Sequence, residues 1–364
     1  MPEPAAVPRV CVVLVNWNGL EDTLECLASL AKVTYPRLSV VVVDNGSRGD
    51  EAGALGREYP EAVVVAAGAN LGFTGGNNLG IEHALASGAD YVLCLNNDTV
   101  VDPGFLEPLV AALEGQPQRG IAGSYIFYQD RPDELWYSGA SVSFDVASAR
   151  QGRIAWHELP PAGRLRAREP FETEVVTGCA LLARADLMRR LGGFDDRYFA
   201  YLEDVDLSLR ARRLGFTSVV APASRVWHKV SAASGGEMSA GVRYYLVRNT
   251  RLLARTHAPA GTGEAVYRAY LGAVLRDALG RPCASGSERR RRVQAALIAA
   301  WSAYAGRYGR RQDRPLAERI LGACLVPAVP ALFFALRVQW LLQARLARRL
   351  HSRELRPAGP QGSG

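Results

Sequence analysis

The chain has no C-x-x-C pair. Its six cysteines, Cys11, Cys26, Cys94, Cys179, Cys283 and Cys324, are scattered, several within apolar runs. That spacing suggests neither a zinc site nor a disulfide framework and predicts buried, reduced thiols in a cytosolic setting. There is also no Gly-Lys-Ser/Thr P-loop and no G-x-G-x-x-G turn, so two familiar glycine-rich phosphate cradles are missing. Residues 1–9 are Pro-rich and lack an apolar h-region, which reads as a chain without a secretory leader. A late run without charge, residues 320–336, is at the lower edge of the roughly 20 apolar residues a membrane span needs. Pro327 and Pro330 interrupt it.

What is present is a globular composition, 48% hydrophobic and 22% charged over 364 residues. That length predicts a large domain plus an appended module. The net charge is +7; the basic residues are almost all arginine and gather late in the chain.

Residues 91–98 carry the strongest local signal. Tyr91 to Leu95 is a continuous apolar run, as a strand buried on both faces of a parallel sheet requires, and it stops at Asn96-Asn97-Asp98. Ligands of open α/β sheets bind off the carboxyl ends of strands. The tripeptide is either a turn and cap before a helix started at Pro103, or a ligand site. Three earlier strands, residues 10–15, 38–43 and 62–66, end the same way. They lead to Asn16-Trp17-Asn18-Gly19, to Asp44-Asn45-Gly46-Ser47, and to Asn70-Leu71-Gly72-Phe73-Thr74-Gly75-Gly76-Asn77-Asn78. Helical spacing follows in residues 20–30, and a helix follows the glycine-rich turn to about Ala86. Strands alternating with helices predict a βαβ sheet with all its polar termini on one edge. Asp44 is placed to accept hydrogen bonds from a ribose or base edge. The glycines let backbone approach a ligand at a helix N-terminus, where phosphate is favoured.

Residues 120–144 read as short β segments, residues 149–168 as a mobile loop near the site, and residues 177–182 as a buried strand. The run Gly192 to Leu207 then places Glu203, Asp204 and Asp206 at a helix start. Capping and the helix dipole account for acids there. Three so close exceed what a cap requires, and crowding raises the pKa of at least one, which suits a general base. Trp227-His228 closes the sheet-like part.

Taken in order, Val15 to Asn18, Asp44 to Ser47, Asn70 to Asn78, Leu95 to Asp98, Gly193-Phe194-Asp195 with Glu203 to Asp206, and Trp227-His228 resemble the family 2 glycosyltransferases. The branch resembled is the bacterial rhamnosyltransferase type that builds cell-surface polysaccharides. The resemblance spans residues 9–255. It implies an α/β GT-A fold, a mixed sheet flanked by helices, and inverting transfer of a sugar from a nucleotide-diphosphate donor. It favours dTDP-rhamnose, with UDP- or GDP-sugars as alternatives, and a glycan or lipid-linked acceptor. By motif position Asp44 holds the nucleoside, with Asn16, Asn18, Asn45, Asn70, Gly72, Phe73, Gly75 and Asn77 about the nucleotide. Asn97 and Asp98 take the D-x-D place for diphosphate and metal, His228 completes the shell of a Mg²⁺ or Mn²⁺, and Asp204 with Glu203 supplies the base. One departure stands out: Asn96 replaces the first acid of D-x-D. The alternative, a non-catalytic sugar-nucleotide-binding or scaffold protein, draws on that departure.

The expected organisation is a disordered N-terminus (1–9), a GT-A catalytic domain (10–240), a helical module (241–350) and a disordered tail (351–364). Helices are predicted at residues 242–255, 263–279, 292–304 and 316–349. The module's arginines and residues 320–336 suggest an interfacial segment on an anionic cytoplasmic leaflet, hence a peripheral location on the inner membrane face. A helical subdomain packed on the catalytic domain, or on a second subunit of a homo-oligomer, is the other reading. The arginine clusters lack an accompanying base-stacking pattern, so no nucleic acid is expected.

Overall fold

The computed structural model describes residues 6–157, 169–230, 239–280 and 286–311. The first part alternates: β1 (Val10–Asn16), α1 (Leu20–Leu30), β2 (Leu38–Asp44), α2 (Glu51–Glu58), β3 (Val63–Ala66), α3 (Gly72–Ala86) and β4 (Tyr91–Asn96). The middle is β-rich: β5 (Thr99–Val101), α4 (Leu106–Glu114), β6 (Arg119–Tyr128), β7 (Leu135–Tyr137), β8 (Ala140–Val142), α5 (Val146–Arg150) and β9 (Ala155–His157). There follow β10 (Phe171–Thr173), β11 (Ala180–Arg184), α6 (Ala185–Leu191), α7 (Glu203–Arg213) and β12 (Thr217–His228). Three helices come last, α8 (Ala240–His257), α9 (Gly263–Gly280) and α10 (Gly286–Tyr304).

The main sheet runs β10-β12-β6-β11-β4-β1-β2-β3, with β5 added to β12 and β7 to β6. The strands β3, β2, β1 and β4 are parallel, and β11 turns the direction by pairing antiparallel with both β4 and β6. Because β1 lies between β2 and β4, the strand order reverses there and leaves a crevice at the carboxyl ends, where open α/β sheets bind ligands. Register aligns the tips: Asn16 lies opposite Asp44, and Val15 opposite Asn96.

Side chains alternate between two cores. Val10, Val12 and Leu14 join α1, α4 and the C-terminal helices on one face. Cys11 and Val13 join α3, α6 and α7 on the other. Tyr244, Val247, Leu252 and Leu253 of α8 are buried in the same core as β1 and β4. The boundary expected at 240 therefore falls between elements that share one interior.

Three local expectations differ from the structure. Residues 99–101 form a strand against the end of β12, so the helix expected from Pro103 starts at Leu106 after a turn closed by Phe105 N on Asp102 O at 3.0 Å. The expected mobile loop, residues 149–168, opens in the last residues of α5 and contains β9, which pairs with β8. The strand expected from Thr177 starts at Ala180, which leaves Thr177 to Cys179 as a turn beside the crevice. Residues 158–168, the 316–349 helix with its uncharged run, the tail, Cys283 and Cys324 lie outside the described residues.

Candidate active site

Asn16 is fully buried at the end of β1 and ties three elements together. Its Nδ2 donates to Asp44 Oδ1 at 3.1 Å, Ser47 Oγ at 3.2 Å and Glu51 Oε2 at 2.8 Å. Its Oδ1 accepts from Thr23 Oγ1 at 2.8 Å, and Thr23 Oγ1 in turn accepts from Asn97 Nδ2 at 2.8 Å. A continuous hydrogen-bonded chain, Asn97–Thr23–Asn16–Asp44, thus spans the β4, β1 and β2 tips. Asn18, with φ of 52°, braces the same corner: its N–H donates to Ser47 Oγ and its Oδ1 accepts from Arg48 N, both at 2.9 Å. Both polar atoms of Asn16 are thus engaged within the fold, and one of those bonds buttresses Asp44.

The Asn70 to Asn78 turn is held by asparagines, its own and Asn45 from the end of β2. Asn45 donates to Gly72 O at 3.0 Å and accepts from Leu71 N at 2.9 Å, while Asn70 Oδ1 accepts from Gly72 N at 2.8 Å. Asn77 donates to Phe73 O at 2.9 Å inside α3. Gly72 has φ of +78°, and a Cβ there would come 2.4 Å from Phe199 O. Gly75 admits no side chain either, its Cβ position lying 2.7 Å from Leu71 Cβ. Asn78 carries the turn to the acidic segment, donating to Phe194 O and Asp196 Oδ1 at 2.9 and 2.8 Å. Phe73 packs edge-on against Phe194 with centroids 5.7 Å apart.

Asp98 and His228 meet at the end of β12, Oδ1 to Nε2 at 3.1 Å, with side chains 12% and 7% exposed. Asn96 Nδ2 lies 3.4 Å from the same Nε2, and the Trp136 ring stands edge-on to the imidazole at 4.9 Å. Burial works against a charged imidazole, but the buried Cys179 beside it and the Asp98 carboxylate outweigh it, and the His228 pKa is raised. Burial pushes the Cys179 thiol up, and the Asp98 carboxylate stands 3.1 Å from His228 Nε2.

Among the described residues no three His, Cys, Asp or Glu side chains form a metal cluster. The two that converge are one carboxylate oxygen and one imidazole nitrogen, and His228 Nδ1 is buried with no hydrogen-bond partner. This donor set fits Mg²⁺ or Mn²⁺, which take one or two protein groups and complete the shell with phosphate oxygens and water.

The third group comes from α7. Asp204 Oδ2 accepts from Gly178 N at 3.0 Å and Oδ1 from Val205 N at 2.8 Å. Gly178 itself is pressed between Phe73, 2.9 Å from its Cβ position, and Asp204. Its neighbour Cys179 feels the charges of His228, Asp98 and Asp204, so the Thr177 to Cys179 turn gathers the glycine-rich turn, the Asp98–His228 pair and the acid around one point. Glu203 is 6% exposed; burial first, then repulsion from Asp204, pushes its pKa well up. Asp206 faces away: despite burial, His257 and Arg210, each at 2.7 Å, hold its pKa below the usual range. The crowding expected of the three acids therefore raises Glu203 and leaves Asp206 as an ion-paired anchor.

Thr23, Trp136, Gly178 and Cys179 were not picked out by the sequence patterns. A threonine on the buried face of an amphipathic helix was the one available signal, since the others acquire a role only through long-range strand pairing.

Comparison with known proteins bears on the family and the fold. The model of glycosyl transferase family 2 matches residues 11–192. The N-acetylglucosaminyl-diphospho-decaprenol L-rhamnosyltransferase of Mycobacterium tuberculosis (strain ATCC 25618 / H37Rv) is 31% identical over 238 residues, 62% of this chain and 77% of that protein. The dTDP-rhamnosyl transferase RfbF of Shigella flexneri is 21% identical over 259 residues, 69% of this chain and 82% of the relative. The crystal structure of GalNAc-T7 with UDP, GalNAc and Mn²⁺ superposes with a TM-score of 0.56 at 16% identity, covering 84% of this chain and 59% of that one; this likeness is one of fold, GT-A. With the fold, the ordered strand tips and the rhamnosyltransferase relatives in agreement, the chain is a glycosyltransferase and belongs to glycosyl transferase family 2.

Proposed function

We propose that this enzyme moves L-rhamnose from dTDP-rhamnose to a hydroxyl of a glycan or lipid-linked acceptor, with inversion at the anomeric carbon. The observation that carries the reading is the convergence of Asp98–His228 and Asp204 about the Thr177 to Cys179 turn, one crevice away from the buttressed Asp44. Asp44 binds the nucleoside, and the Gly72 to Asn77 turn presents backbone to the diphosphate. Asp98 and His228 would hold Mg²⁺ or Mn²⁺, which when bound supplies positive charge for the departing diphosphate. Asp204 takes the proton from the acceptor hydroxyl as its oxygen bonds to the anomeric carbon. The bond from that carbon to the diphosphate oxygen breaks in the same displacement, and the electron pair leaves with dTDP. Glu203, held neutral by burial beside Asp204, keeps a second negative charge away from the base. One relative named an N-acetylglucosaminyl-diphospho-decaprenol L-rhamnosyltransferase and another named a dTDP-rhamnosyl transferase support the acceptor and donor classes.

No helix among the described residues is long and apolar enough to cross a membrane. Arg289, Arg290 and Arg291 stand exposed at the start of α10, which supports peripheral docking on an anionic leaflet. The test is donor consumption by the purified chain across dTDP-, UDP- and GDP-sugars with Mg²⁺, Mn²⁺ or EDTA. Metal-dependent release of dTDP from dTDP-rhamnose is the expected result. Selective turnover of a UDP- or GDP-sugar would overturn the donor assignment, and full activity in EDTA would overturn the role given to Asp98 and His228.

A further inference from the structure

Residues 197–202 run directly into Glu203 and Asp204 through backbone that L-residues avoid. Phe199, Tyr201 and Leu202 have φ of 64°, 69° and 69°, and none is glycine, the residue that enters this region without steric cost. Leu202 is also the N-cap position of α7 and offers no side-chain cap. Such a segment persists only where its surroundings over-determine it.

The surroundings on one side are the glycine-rich turn. Phe199 O accepts from Thr74 N at 3.2 Å and occupies the space that a Gly72 side chain would need. On the other side stand two fully buried residues of α8, Arg248 and Asn249. Asn249 Nδ2 faces three carbonyls of the segment, Tyr198 O at 3.0 Å, Ala200 O at 2.8 Å and Tyr201 O at 2.7 Å. Arg248 Nη2 donates to Tyr198 O at 2.6 Å and Arg197 O at 3.1 Å, and its Nε donates to Asn249 Oδ1 at 2.9 Å, fixing the orientation of that amide. Arg248 Nη1 donates to Gly309 O, and Gly309 N donates back to Arg197 O at 2.8 Å. The residues after α10 thereby close the clamp.

A buried guanidinium is an expensive way to pack a helix, and an apolar side chain of similar volume would serve stability as well or better. Among the described residues no carboxylate pairs with Arg248; its partners are backbone carbonyls, the Asn249 amide oxygen and the rings of Tyr245, Tyr244 and Tyr308, 4.9, 5.7 and 5.8 Å away. Phe199 stacks on the same Tyr245 ring at 5.3 Å. Every donor of this pair that contacts the 197–202 segment is spent on the shape of its backbone.

We propose that Arg248 and Asn249 are positioning residues for sugar transfer: the C-terminal helices lock the 197–202 segment in its left-handed path, and so fix Asp204 relative to the Gly72 turn. The inference rests on Asp204 acting as the base. Asn249→Ala should lower turnover of dTDP-rhamnose about 10- to 100-fold, as a displacement near 1 Å does, while calorimetric affinity for dTDP stays within about twofold.

The deciding measurement is a double-mutant cycle with Asp204→Asn. If Asn249 acts through Asp204, the alanine substitution costs no more than about twofold in the Asp204→Asn background. Equal fold losses in both backgrounds, or undiminished turnover in Asn249→Ala, would overturn the proposal while leaving the base assignment intact. Wild-type turnover in Asp204→Asn alone would remove the base assignment and the proposal with it. Should Asn249→Ala lack a cooperative unfolding transition, Arg248→Lys takes its place in the cycle. It keeps the charge and stem but cannot span both carbonyls, and the same two outcomes decide.

Discussion

Glu203 and Asp204 are adjacent in the chain yet sit in opposite surroundings. Asp204 has two backbone N–H donors, whereas Glu203 Oε2 is buried without a partner. The raised pKa of Glu203 means the folded chain keeps a proton that the unfolded chain releases above about pH 4.3. Stability contributed by the neutral acid is complete below that value and is lost as pH rises through the higher folded one. Glutamine is neutral throughout. The Tm of Glu203→Gln relative to the parent should therefore increase as pH rises above about 4.5 toward the raised folded pKa; parallel Tm curves would show that Glu203 ionises normally in the fold.

At the scale of elements, the glycines of α3 have a packing role separate from any ligand. A Cβ at Gly80 would lie 2.2 Å from Val13 Cγ1, and one at Gly76 2.8 Å from Val15 Cγ1, so α3 rests directly on β1. Gly80→Ala gains up to about 1 kcal/mol of helix propensity, but overpacking a core typically costs about 1–3 kcal/mol. Because the obstacle is a strand residue at the centre of the sheet, the clash should win. Denaturant unfolding should show a net loss of about 1–2 kcal/mol, and Val13→Ala should cost less in that background than alone. A stabilised Gly80→Ala would mean that α3 has room to shift.

Helix α7 is tied to α8 by Asp206, whose carboxylate lies 2.7 Å from both Arg210 Nε and His257 Nε2 and is 2% exposed. Removing one charge from a buried pair typically costs about 3–5 kcal/mol, so Asp206→Asn should be among the most destabilising single changes in this region. Its folded pKa is depressed, so its contribution is complete above the unfolded value of about 3.9 and is lost as pH falls through the lower folded one. Urea unfolding of parent and variant should converge as pH falls below 4. A difference that persists unchanged at pH 2 would show that the effect is packing rather than charge.

For the molecule as a whole, the sheet and helices α8, α9 and α10 share one hydrophobic core, which predicts that they unfold together. Tyr244, Val247, Leu252 and Leu253 are at most 5% exposed, and the Phe199 to Leu202 segment depends on the same helix. A chain ended at residue 239 would uncover that core and free the strained backbone. It should show no cooperative unfolding transition by circular dichroism; a folded, donor-consuming fragment would restore the view of a separable module.

The alternating strands, their polar tips and the order of motifs were legible in the sequence, because burial on two faces and turn chemistry are written in neighbouring residues. The sequence also placed Asp44, Asp98, Asp204 and His228 as the groups to watch. It took the closed fold to show that Asn16, Asn45 and Asn77 bond their amides within the protein, that burial pushes the Glu203 carboxyl up, and that α8 shares a core with the sheet. Most of those outcomes depend on partners well separated in the chain, as Asn16 and Glu51, Asn45 and Gly72, Arg248 and Tyr198, or Asp98 and His228 are. Burial and hydrogen-bond partners of that range are properties of the closed sheet, and no local periodicity carries them.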